Sequence, residues 1–428
     1  MDQRYLLNNE RAESLYQTVK YLPIIDFHNH LSVKDIKENR RFEDLYRLWL
    51  ECDPYKHRLM RISGIDEHFI TGDAEPFEKV EKFIGILPYL AGNPVFDWSR
   101  MELLKIFGIN ELPTKSNATY IYDKCNEMLA SEEFYAGSIL ARFNLEYQAP
   151  VATPLEDLSV FDGKVVAPSL RADELLSPSE GFKGRLEQRT GVRITDTKSY
   201  LSAIGKMLDQ FKKKGCKFCD HALDAGFFDE NCGGEAANIL KLLGIEYSKR
   251  KMTLLLHVDA NRSTSERLRE IAGSQGGFAA VGGRFNYTAL TKLLSDMERG
   301  GGLPDTVIFP LNMSDQPQLA VLQGSFSENG VSSKVGLGPA WWWCDHKTGI
   351  RNTLDAISSF GVLSEFIGMT TDSRSILSMV RHDYFRRILC SYLIEKAEGD
   401  LWDLPFDILS DIARKICYEN AKKKIERT

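Results

Sequence analysis

Eight short apolar or β-branched runs punctuate the chain, and almost every one is followed by polar residues able to do chemistry. They lie at 24–30, 145–152, 164–170, 216–222, 252–259, 306–312, 334–339 and 366–373. Several are continuous apolar stretches, the pattern of strands buried on both faces of a parallel sheet. Amphipathic stretches separate most of them: 199–213 places Leu201, Ile204, Met207, Leu208 and Phe211 at helical spacing, and 234–249 and 263–272 are similar. Strand and helix therefore alternate to the end of the chain, which predicts an α/β fold of the (β/α)8 barrel type with its active site at the C-terminal strand ends. The interval 32–144 breaks the alternation. It is too long for a loop and reads as helix at 42–51, 75–91, 98–107 and 117–131. The expectation is a barrel built from 1–31 and 145–428, with 32–144 inserted as a helical subdomain covering its mouth.

Composition narrows the ligand. With 43% hydrophobic and 27% charged residues over 428 positions, the chain can bury a large core. A net charge of -6 argues against nucleic acid or an anionic membrane as partner, so a small molecule is expected. No run of about 18 apolar residues occurs, and the N-terminus lacks the apolar core of an export signal. Eight scattered cysteines fit reduced thiols, so a cytoplasmic setting is expected. Cys216 and Cys219 form a lone CxxC without the second pair a zinc knuckle needs, and read as packing residues. The glycine pairs at 276–277 and 282–283 and the triplet at 300–302 fit no phosphate-binding pattern and read as turns.

The chemistry gathers at the strand ends. His28 and His30 flank Asn29, and residues two apart on a strand point the same way, so both rings can reach one ion or substrate. The strand assignment adds His221, His257 and Asp372, and two histidines with a carboxylate are a common catalytic metal set. Asp372 could equally act as a general base. Arg171, Arg262 and Arg374 lie at or just past three strand ends, and guanidinium groups at the mouth of an acidic protein point to an anionic substrate. His57, His68, His346 and His382 read as structural or surface residues.

Beyond these positions the sequence resembles the uronate isomerase family of the amidohydrolase superfamily. The resemblance rests on the run from Asp26 to Leu31, on Tyr55-Lys56 with Arg58, on Thr71-Gly72-Asp73-Ala74 and on Gly92-Asn93-Pro94. It continues through the run from Cys219 to Asp224, His257 with Arg262, Trp341-Trp342-Trp343 with Asp345, and the long block from Gly368 to Cys390. It implies a distorted (β/α)8 barrel that interconverts D-glucuronate with D-fructuronate, or D-galacturonate with D-tagaturonate. It further implies one divalent ion, zinc by family habit, held by His28, His30 and Asp372. Tyr55, His257, Arg262 and Asp372 are the expected catalytic residues, with His257 polarising the carbonyl. Arg374, Arg171, His221 and Trp341 are expected to bind the substrate.

Three departures from the family pattern follow strands two, three and six: Ala152-Thr153-Pro154-Leu155, Leu170-Arg171-Ala172-Asp173 and Asn312-Met313-Ser314-Asp315. They leave the preferred sugar acid open, along with the need for the ion and the oligomeric state, a homo-oligomer included. Two rivals remain: a metal-dependent hydrolase, disfavoured because the sixth run ends in Asn312 where a histidine is common, and a non-catalytic sugar-acid binder.

Overall fold

The computed structural model describes residues 4–228, 234–274, 276–399 and 402–428; residues 1–3, part of the stretch read for an export signal, lie outside them. Seven parallel strands form one curled sheet: β1 (Ile24–Asn29), β2 (Leu145–Ala152), β3 (Ser169–Arg171), β4 (Phe218–Leu223), β5 (Thr253–Val258), β8 (Thr306–Pro310) and β9 (Val335–Leu337), paired in that order. A separate antiparallel ribbon joins β6 (Ala260–Asn261) to β7 (Ala280–Val281). Seven of the eight apolar runs thus hold strands, although 164–170 is a strand only at its end, in Ser169–Arg171, and helices lie between most of them, as the alternation requires. Among the described residues, no helix is long and apolar enough to cross a membrane.

The eighth run, 366–373, is not a regular strand. Gly368 and Asp372 both adopt positive φ, at 87° and 46°, which breaks an extended path. The segment still lies against β1: the Asp372 amide donates to the His28 carbonyl at 3.1 Å and the His30 amide to the Ser373 carbonyl at 2.9 Å. Side chains replace the missing ladder. The buried Asp26 carboxylate accepts from the Thr371 amide at 2.7 Å and from the Thr370 and Thr371 hydroxyls at 2.8 and 2.7 Å.

β1 carries the second irregularity. Between Asp26 and Asn29 it advances three residues while its partner β2 advances two, from Gln148 to Pro150. Such a bulge re-aims side chains. Phe27 and His28, although adjacent, both face the barrel interior: the Phe27 ring lies 5.8 Å from Phe218, and the His28 ring 4.5 Å from His257.

From β1 to β2 the chain is helical, with Pro54–Ile62 and Pro94–Phe107 among its elements. Both begin with proline and are capped by a preceding Asp53 or Asn93 whose side chain accepts first-turn amides, so their starts are written locally.

Candidate active site and metal centre

At the C-terminal end of the sheet a cavity of about 250 Å³ opens between the barrel and the helix Pro54–Ile62. Every expected site residue lines it except one: His28, His30, Tyr55, Arg171, His257, Arg262, Trp341, Asp372 and Arg374 are all present. The exception is His221. It is fully buried on the opposite face of β4, where its Nε2 meets the Tyr247 hydroxyl at 3.0 Å. The expectation that His221 binds substrate is corrected: strand alternation turns it away from the cavity and turns its neighbour Asp220 inward.

Asp220 is a candidate site residue that the sequence does not single out. Its Oδ1 lies 2.6 Å from His257 Nδ1, and its Oδ2 accepts from Arg171 Nη1, so one buried carboxylate links a histidine and an arginine. Burial pushes its carboxyl up, but Arg171, His257 and His28 outweigh that and hold it well below the usual range. The β3–β4 register, which sets Arg171 opposite Asp220, is the signal that could have found it. Thr153, Ser274, Gly277 and Ala279 also line the cavity and come from loops, where no period marks them.

His28, His30 and Asp372 converge more closely still. Asp372 Oδ1 is 3.2 Å from His28 Nε2 and 3.1 Å from His30 Nε2. Burial raises the Asp372 carboxyl, yet its contacts with the two histidines prevail and keep it ionised far below the usual carboxylate range. Burial pushes His30 down to about 4, aided by Arg374, so its ring is neutral and able to ligate. The residues fit a divalent ion: imidazole and carboxylate are the appropriate donors, and buried His28, though 3.2 Å from Asp372, makes no aligned hydrogen bond through either ring nitrogen. Asp220, His28 and His257 form a second, overlapping group of the same kind.

The arginines are less alike than the sequence implies. Arg171 also donates Nε to Asp173 at 2.7 Å, so two carboxylates compensate it. Arg262 donates Nε to Asp224 at 3.0 Å and stacks 4.8 Å from the Trp342 ring centroid. The histidines read as structural stay out of the cavity. His346 caps the helix Lys347–Phe360 by accepting from the Gly349 amide, His68 pairs with Asp73, His382 sits 3.5 Å from Asp26, and His57 is buried with its Nε2 unpartnered. Cys216 and Cys219 are buried free thiols.

A glucuronate isomerase family model matches residues 1–242 and 234–424. The chain belongs to the glucuronate isomerase family. It is 35% identical to the uronate isomerase of Caldanaerobacter subterraneus subsp. tengcongensis over 459 residues, covering 99% of this chain and 98% of that one. The crystal structure of uronate isomerase from Thermotoga maritima superposes with a TM-score of 0.89 at 25% identity, covering 99% of each chain. The glucuronate isomerase of Caulobacter crescentus shares the fold, with a TM-score of 0.88 at 22% identity over 100% of this chain and 97% of that one.

Proposed function

We propose that this member of the family interconverts hexuronic acids with their 2-keto isomers: D-glucuronate with D-fructuronate, and D-galacturonate with D-tagaturonate. The observation that carries the reading is the convergence of His28, His30 and Asp372 on one cavity that also holds Arg262, Arg374 and Tyr55. Moving a carbonyl from C1 to C2 removes a proton from C2 and delivers one to C1 through an enediol, whose growing oxyanion needs positive charge.

Each residue suits one part of that task. Asp372, kept ionised, is the base for the C2 proton or for ring opening. Tyr55 stays protonated at neutral pH because burial raises its phenol, so with Arg262 it delivers the proton. Arg374, in the cavity wall just past Asp372, binds the uronate carboxylate. His257 is reassigned. Asp220 fixes its proton on Nδ1, which leaves a lone pair on Nε2, and burial keeps the ring neutral. It accepts a hydroxyl proton instead of polarising a carbonyl. His28, His30 and Asp372 would hold a divalent ion, zinc being the expected one, that supplies positive charge to the substrate oxygens.

The helical stretch 32–144 acts in this scheme as a subdomain over the mouth, supported by Pro54 and Tyr55 in the cavity wall. A cytoplasmic setting is supported by the free cysteines. The test is to incubate the purified protein with D-glucuronate, D-galacturonate and related sugar acids and to follow ketose formation by NMR in D2O. Metal content and turnover are measured before and after chelation. Conversion of none of the uronates overturns the reading.

A further inference from the structure

We propose that Arg381 is a positioning residue that sets the Tyr55 phenol relative to Asp372 by clamping both from behind the cavity wall. The inference rests on the isomerase reading above.

Arg381 is the second residue of the helix Val380–Gly399 and is 1% exposed. A guanidinium cannot shed its charge, so burying one is expensive unless carboxylates and hydrogen bonds surround it. Here burial is opposed at a distance by Tyr55, Asp345, Asp53 and Glu102, whose charges together favour the cation, but close partners are few. Asp345 Oδ2 lies 3.6 Å away, beyond hydrogen-bond reach, and Arg381 Nε has no partner. Asp345 itself is pushed up to about 7 by burial, with Arg381 opposing and Asp372 assisting, so it compensates the cation incompletely near neutrality. Direct ion pairing gives a poor account of this residue. A hydrophobic side chain of similar volume would fill the space without the desolvation penalty.

The contacts of the guanidinium suggest what it does instead. Its carbon lies 3.7 Å from the Trp98 ring centroid and 4.9 Å from that of Tyr55, whose two rings meet edge to face at 5.6 Å. Its Nη1 donates to the Thr371 carbonyl at 3.4 Å, one residue before Asp372. Its charge also favours the ionised form of Asp53, whose carboxylate caps the helix Pro54–Ile62 by accepting from the Tyr55 amide at 3.0 Å. One planar group therefore touches the helix that carries Tyr55, the helix that carries Trp98 and the irregular segment that carries Asp372. The irregular segment is registered on β1 by two backbone bonds and the Asp26 side chain in place of a full ladder, and the helices belong to a different part of the chain. A proton donor and a base held on such separate pieces need a common reference, because a 1 Å misplacement can lower turnover about 100-fold. Lysine cannot replace this, since it has neither the flat face for two rings nor the in-plane donors.

Arg381→Lys, Tyr55→Phe and the double variant of the full chain are assayed with D-glucuronate, with NMR followed over days so that slow variants stay measurable. Arg381→Lys is expected to lower kcat about 100-fold with KM within about threefold. In the Tyr55→Phe background the same change is expected to lower kcat less than about threefold, because the group it positions is gone. Equal factors in both backgrounds, or a kcat for Arg381→Lys within threefold of the parent, overturn the proposal. If Arg381→Lys does not fold, Trp98→Leu, which removes one face of the clamp, is expected to lower kcat and to lose that effect in Tyr55→Phe; additivity there overturns the proposal equally. A parent protein that converts no uronate sinks the isomerase reading and this one together, whereas conversion without coupling sinks this one alone.

Discussion

Buried and half-buried charges gather at both ends of the sheet, and the two clusters differ in the space they face. At the N-terminal end Asp305, just before β8, accepts from Lys424 at 3.2 Å and from Arg427 at 3.0 Å and forms an ion pair with Lys334 at 3.6 Å. Two of these cations belong to the helix Asn420–Arg427, so the cluster pins the C-terminus under the barrel. At the C-terminal end His28, His30, Asp220 and Asp372 also interact, yet His28, His30 and Asp372 border a cavity, and His28 and His257 Nε2 make no aligned hydrogen bond. The Asp305 cluster has its own unpartnered atom, Arg427 Nε, but the cavity beside it is about 20 Å³, room for about one water, so it serves stability. The His28 cluster leaves buried donors and acceptors unmatched beside a cavity of about 250 Å³, the arrangement that suits a ligand.

The comparison breaks most easily at Asp372. Asp372→Asn keeps the shape and removes the carboxylate, so kcat is expected to fall about 10⁴-fold, in line with loss of a general base, while the unfolding temperature changes little. A variant that turns over D-glucuronate like the parent would place the chemistry elsewhere. Asp220→Asn should act one step removed: it loosens the tautomer of His257 and leaves Arg171 with Asp173 alone, and a fall of about 100-fold in kcat is expected. An unchanged kcat would mean that His257 needs no orienting carboxylate.

These two carboxylates also mark where the sequence is legible. His28, His30 and Asp372 can be read from it because residue type, strand ends and the family resemblance agree. On β4 the pattern points one residue too far. Asp220 and His221 are adjacent and both polar, and alternation fixes their relative facing without fixing which one faces in. The eighth run falls short of a regular strand for a related reason: 366–373 has the composition of a strand, but its pairing runs through the Asp26 side chain, a long-range contact that no local pattern encodes. The bulge in β1, which brings Phe27 and His28 to the same side, is equally invisible in the sequence. The loop residues Ser274, Gly277 and Ala279 have no period to betray them.

His221 sharpens the comparison in a third way. It is a buried histidine at the cavity end that faces away, with burial pushing it down to about 4. His221→Gln should leave kcat within about threefold and lower the unfolding temperature by a few degrees through its lost contact with Tyr247. A large loss of kcat at unchanged stability would return His221 to the site.

The smallest effect is expected at the Asp305 cluster. Lys424 is 5% exposed, and burial pushes its amine down to about 8 against Asp305, which raises it, with Arg427 again lowering it. Below about pH 8 the lysine is charged in both folded and unfolded chains, and above its ordinary value of 10.5 it is neutral in both. Between the two the unfolded chain binds more protons, so this residue's contribution to stability rises with pH, by at most about 1.4 kcal/mol per unit. Lys424→Met leaves Lys334 and Arg427 on Asp305 and removes the titrating group. The unfolding temperature of the parent relative to Lys424→Met should therefore be lowest near pH 7 and climb toward pH 10.5, with kcat unaltered at every pH. A difference that stays flat across this window would mean that the amine titrates normally, and a change in kcat would mean that the two ends of the sheet are not independent.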